Sequence, residues 1–263
     1  MSERKLVSTH IAKAGGTSIQ GLYEKALGRD QIAIYLEPLD QLRRGSQYPF
    51  SKASPFTDWL KSTALDSPFY PQAKDLAIWL GSLRNPPTGL DIPEGVRVLH
   101  GHFSADRFDS IIEDPLRSIV LREPLERTRA AYDHWRRAKG RTEWLNNLPF
   151  DPTVTFEDYA LSEKLQNYQA QAISGKTLSA FDVVGVTDDL ESFGNKLLEL
   201  FIQEGWCDRS VIGNVSIPNF NRTPSRRKTS VPQPNTNFAE EFRRFHNEDY
   251  QLYHEARRIA GLS

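Results

Sequence analysis

The chain has 263 residues, with 33 Lys and Arg against 34 Asp and Glu, a formal net charge of −1. So even a balance argues against a nucleic-acid coat or an acidic tail as a whole-chain property. The single cysteine, Cys207, excludes an intramolecular disulfide framework and any multi-cysteine metal site.

Hydrophobic residues make up 38% and charged residues 25%, the balance of a soluble globular protein. A chain of this length is expected to bury roughly 70–75% of its unfolded surface in one or two domains. No window approaches about 18 uninterrupted apolar residues, so no transmembrane helix is expected. The opening Met1–Lys5 runs straight into an apolar strand and lacks a signal-peptide core. The expected compartment is the cytoplasm.

In chain order, Leu6–Ile11 is a short apolar, β-branched run and predicts a buried strand. Gly15-Gly16-Thr17-Ser18 breaks it. Ile19, Leu22, Tyr23 and Ala26 then recur at helical spacing, with Gly28 as C-cap. Ile32–Leu36 predicts the next strand. An irregular insertion at about 37–95 follows, rich in Pro and aromatics, with short helices expected near Pro55–Leu65 and Ala73–Leu83. Val96–His100 and Arg117–Leu121 predict two more strands. Pro124 suits a first helical turn, and Leu125, Thr128, Tyr132 and Trp135 share one face of the helix behind it. Further helices are predicted at Phe156–Leu161 and Glu163–Ile173, a fifth strand at Asp182–Val186, and a helix from Asp188 to about Glu204. A final helix is predicted over Asn237–Ile259, its buried stripe made of Phe238, Phe242, Phe245, Leu252, Ala256 and Ile259. Strands alternating with helices predict an α/β fold with a central, mostly parallel sheet.

Three segments carry chemistry. The first is Thr9-His10-Ile11-Ala12-Lys13-Ala14-Gly15-Gly16-Thr17-Ser18, at a strand-to-helix junction. Backbone N–H groups at a helix N-terminus attract an anion, glycines allow close approach, and Lys13, Thr17 and Ser18 add a charge and two hydroxyls. The order differs from a Walker loop, because the lysine precedes the glycines. The second is Leu121-Arg122-Glu123-Pro124-Leu125-Glu126-Arg127 through Tyr132, where Arg122 at a strand end suits a phosphate. The third is His100-Gly101-His102-Phe103, expected just after a strand; a histidine there suits a general base. If the strand continues through this segment, the two imidazoles are expected to alternate faces, so that only one looks into the cleft.

The first segment resembles the 5′-phosphosulfate loop of glycan sulfotransferases, with Ala12 for the usual Pro and Ala14 for the usual Thr. The second is similar to that family's 3′-phosphate motif, with Glu123 for Asp and Ala130 where a phosphate-binding serine is usual; Thr128 or Arg129 would have to compensate. The third resembles the His-Gly-His of heparan sulfate 2-O-sulfotransferases. Val184–Phe193 and Asn167-Tyr168-Gln169 add looser similarity, the first structural in character.

The resemblance runs in order from about residue 6 to 230. It implies a single sulfotransferase domain over 1–263, with a P-loop nucleotide-hydrolase-like three-layer α/β fold. It implies transfer of the sulfuryl group of PAPS (3′-phosphoadenosine 5′-phosphosulfate) to a hydroxyl acceptor, by resemblance a carbohydrate, with no metal. Its catalytic residues would be His102 as base, Lys13, and His100 as auxiliary. Its cofactor residues would be Lys13, Ala14, Gly15, Gly16, Thr17, Ser18 and Arg122, together with Arg226, Arg227 and Lys228 of a basic loop at 217–237. That loop also suits nucleic acid, but no recognised nucleic-acid module accompanies it, and no such partner is expected. Two other functions stay open: a phosphoryl-transferring P-loop enzyme, and a non-catalytic PAP- or nucleotide-binding protein. Cys207 is expected to be a packed thiol beside Trp206.

Overall fold

The computed structural model describes residues 4–36, 92, 94–138, 151–212 and 235–262. Most of the insertion at 37–95, with its two expected helices, and most of the basic loop at 217–237 lie outside the described residues.

Five strands form one sheet: β1 (Leu6–His10), β2 (Ile32–Leu36), β3 (Val98–His102), β4 (Leu116–Leu121) and β5 (Val183–Val186). Their spatial order is β2-β3-β1-β4-β5, and every pairing is parallel. The expected α/β class and parallel sheet therefore hold. The strands are largely buried because helices cover both sheet faces, and Ser8, Thr9, His100 and Ser118 are buried polar residues among them. One face packs on α1 (Gly16–Leu27) and α5 (Leu190–Gln203) through Ile19, Leu22, Tyr23, Phe193 and Leu197. The other packs on α2 (Pro124–Ala138), α4 (Tyr168–Ile173) and α7 (Asn247–Ala260) through Tyr132, Trp135, Tyr168, Tyr253 and Ala256. Two shorter helices, α3 (Phe156–Ala160) and α6 (Thr236–Phe245), add Phe156 and Phe242 to that second layer.

Three local expectations change. The stretch Glu163–Ile173 is a 3-10 turn followed by α4, not one helix, because Asn167 takes a left-handed conformation (φ 49°) between them. The predicted last helix is two, α6 and α7, hinged at His246 (φ −106°, ψ 34°). The His246 ring explains the break: Nε2 bonds the Ala160 carbonyl at 2.8 Å, and Nδ1 accepts from the Asn167 N–H at 3.2 Å. Ile259, expected in the buried stripe, is exposed. Cys207 is half-buried against the cluster that contains Trp206, and burial pushes its thiol pKa up.

The strand order places the site. The chain moves from β1 to β2 and β3 on one side, then crosses to β4 and β5 on the other. β1 is thus the topological switch point, and a ligand crevice is expected beyond the C-terminal ends of β1 and its neighbours.

Candidate functional site

The three segments singled out in the sequence converge at those strand ends. Past β1, the loop 11–15 closes with an Ala14 N–H bond to the Ile11 carbonyl at 3.0 Å. Lys13 adopts φ 69°, a conformation L residues seldom take, and Gly15 takes φ 83° as the N-cap of α1. No side chain caps α1, so its first-turn N–H groups lack the usual side-chain acceptor. Lys13 is half-buried, Ala14 and Gly16 are buried, and Thr17 is exposed. Ser18 is buried at 4% exposure, so its hydroxyl is turned away from open solvent.

Arg122, just past β4, donates from Nη1 to the Lys13 carbonyl at 3.0 Å. Its own backbone is gripped twice by the buried amide of Gln169, which accepts from the Arg122 N–H at 3.0 Å and donates to the Arg122 carbonyl at 2.8 Å. Glu123, in place of an aspartate, caps α2 by accepting from the Glu126 N–H at 2.6 Å, and it also accepts from Tyr250 Oη at 2.7 Å. Burial and the neighbouring Arg137 and Arg122 push the Lys13 ammonium below its ordinary value, with Asp133 opposing. Lys13 thus has two guanidinium neighbours and one carboxylate beside the end of α1, while Glu126, Glu123 and Asp188 in turn balance Arg122. Neither expected compensator for Ala130 is open: buried Thr128 accepts from Arg127 at 2.9 Å, and Arg129 pairs with Glu126 at 2.8 Å.

The histidines correct the sequence reading. β3 runs on through Gly101 and His102 instead of ending at His100. Residues two apart in a strand share a face, so both imidazoles lie on the α1 side; the expectation of opposite faces was wrong. The His10 ring stacks on His102 at 4.3 Å between centroids and on His100 at 5.1 Å. Stacked faces do not converge their nitrogens on a metal, and no cluster of three or more His, Cys, Asp or Glu suited to a metal occurs among the described residues. His100 is buried, and its Nδ1 pairs with Ser8 Oγ at 2.9 Å. Ser8 continues to Tyr23 Oη at 2.8 Å and Tyr23 to Ser118 Oγ at 3.3 Å, a polar seam beneath α1. Burial drives His100 down to about 3 against backbone hydrogen bonds to Gly16 and Ser8. His102 is half-buried; burial and Lys13 lower it to about 4 against a hydrogen bond with the His10 backbone. Both rings are therefore neutral at pH 7. Asp109, a sequence neighbour of His102, is tied to Arg117 at 2.6 Å and to Lys176.

Several contributors carried no assigned role in the sequence reading. His10 stood inside the loop motif unnoticed as a ring. Asp133, His134 and Arg137 of α2 adjoin Lys13, and burial with Lys13 and Arg137 lowers His134 to about 4. Asp133 and His134 lie one helical turn past Arg129 and Ala130, and Arg137 a further turn on, which was the available signal. Arg226, Arg227 and Lys228 lie outside the described residues.

A crystal structure of a sulfotransferase from Alicyclobacillus acidocaldarius aligns with 100% of this chain and 98% of its own, at 16% identity and a TM-score of 0.43. A score of this size is too low to speak for function. No protein-family model matches the chain, and no curated protein does.

Proposed function

We propose that this chain is a PAPS-dependent sulfotransferase acting on a hydroxyl acceptor, a carbohydrate or other small hydroxylated molecule. One observation carries the reading: Lys13 and Arg122, whose Nη1 holds the Lys13 carbonyl, stand at the loop before the uncapped N-terminus of α1, with neutral His102 at the adjoining strand end. A lysine and an arginine beside a helix end that no side chain caps fit an anionic donor. Lys13, the backbone from Ala14 to Thr17 and Arg122 would hold it, and Arg226, Arg227 and Lys228 are proposed to add charge from the basic loop. Bound there, PAPS supplies the sulfuryl group.

The chain's own residues have separable tasks. His102, neutral at pH 7, takes the acceptor's hydroxyl proton. Lys13 and the first N–H groups of α1 stabilise negative charge developing on the transferring and leaving oxygens. Arg122 ties the loop carbonyl with one nitrogen and orients the donor with the rest of its fork. His100, buried and bonded to Ser8, supports His102 from below instead of exchanging protons with an acceptor.

The test is incubation with sulfur-labelled PAPS and a panel of hydroxyl acceptors. Label is expected to reach at least one acceptor, and His102→Ala to stop it. PAP binding without transfer to any acceptor would favour a binding protein. Magnesium-dependent phosphoryl transfer from ATP would favour the P-loop enzyme.

A further inference from the structure

We propose that His10 is a positioning residue for the base: its ring, seated on Gly16 and stacked on both imidazoles of β3, fixes the plane of His102 without itself exchanging a proton. The role of His102 in this statement rests on the sulfuryl-transfer reading; the contact does not.

Register comes first. β1 and β3 pair with Ser8 beside His100 and Thr9 beside Gly101, so the next step sets His10 beside His102 on the same face. The ring planes of His10 and His100 differ by 9° and those of His10 and His102 by 27°. One flat ring thus spans two others on the neighbouring strand and blocks rotation of either.

Gly16 makes the seat. A Cβ built there would fall 1.8 Å from both Cε1 and Nε2 of His10, far inside any real contact. Gly16 has no positive φ to justify a glycine. Its lack of a side chain serves the ring above it. The same contact sets Cε1, Nε2 and Cδ2 of the His10 ring against the first residue of α1. The His10 backbone also hydrogen-bonds the His102 ring, and Nδ1 of His102 is buried. The half-buried ring is left to meet an acceptor by its other edge.

The groups facing His102 are His10 and Lys13 from β1 and its loop and His100 on its own strand. Tyr168 of α4 lines a cavity of about 10 Å³ together with His10 and His102. His10 is the ring that covers the base, so its removal admits water to His102.

The experiment is a histidine NMR titration of wild type, His10→Ala and His10→Phe, alongside PAP affinity and the kcat for transfer from PAPS. His102 should titrate near pH 4 in wild type and in His10→Phe, and move toward about 6.5 in His10→Ala. The kcat should fall about 10²-fold in His10→Ala, as for a displaced catalytic group, and largely recover in His10→Phe, with PAP affinity unchanged throughout. If His10→Ala fails to fold, His10→Leu keeps an apolar side chain without a flat ring and is expected to behave as the alanine should. An unmoved His102 titration in a folded ring-less variant overturns the proposal. So does a His10→Phe protein as inactive as His10→Ala, which would assign His10 proton chemistry of its own. A shifted titration in a protein with no PAPS turnover supports the positioning role and removes the sulfuryl-transfer reading instead.

Discussion

The two halves of the crevice are built on opposite plans. On the β4 and β5 side, polar groups are paired with one another: Glu123 with Tyr250, Asp188 with Tyr253 at 2.8 Å and Arg257 at 2.7 Å, and the Arg122 backbone with Gln169. Buried Arg127 lies over the Tyr168 ring at 4.5 Å. On the β1 and β3 side, the His10 ring stacks on two other imidazoles and a helix end beside Lys13 goes without a side-chain cap. Groups paired with one another hold geometry, whereas a helix end without a side-chain cap, beside neutral imidazoles, is left to meet a ligand.

Variants on the two sides should therefore fail differently. The largest effect is expected from His102→Ala, a loss of about 10²–10⁴ in kcat with the fold intact. Lys13→Ala should lose about 10²–10³. Near-normal turnover in either folded variant removes that residue from the mechanism. The third effect is on pH. His100 and His102 have lowered pKa values in the fold, so between pH 6.5 and about 3 the unfolded chain binds more protons. Stability should be full above pH 6.5 and fall by a few kcal/mol as the pH drops through that window, a slope that chemical denaturation at stepped pH measures. By the same sign, the acid limb of kcat should lie near pH 4 and not near 6.5.

On the paired side the loss should be in stability and donor affinity. Gln169→Ala removes both bonds to the Arg122 backbone and should cost roughly 2–3 kcal/mol by denaturation, with weaker PAP binding and little change in kcat at saturation. Tyr253→Phe removes one part-buried bond to Asp188 and should cost about 1 kcal/mol, with kinetics untouched. A kcat defect in Tyr253→Phe would erase the contrast between the halves.

The contrast was only half legible in the sequence. All five strands were, since each is a short apolar run bounded by breakers, and so was the gathering of Lys13, Arg122 and His102, which follows from their places at strand ends. What escaped depends on contacts between distant residues. The need for glycine at 16 comes from a ring six residues earlier, and the Arg122 clamp comes from Gln169, 47 positions on. Helical periodicity carried straight through His246, because a side chain that binds two other segments leaves no trace in spacing. The strand was expected to end at His100, and the expectation of alternating faces overlooked that residues two apart in a strand share one, the face of His10.

The central claim is that the uncapped α1 terminus with Lys13 and Arg122 is a PAPS site. Calorimetric titration of the purified protein with PAP, compared with ATP plus Mg²⁺, tests it most directly. PAP is expected to bind, more weakly in Arg122→Ala, and ATP with Mg²⁺ is expected not to match it. Binding of ATP with Mg²⁺ and none of PAP would contradict the claim.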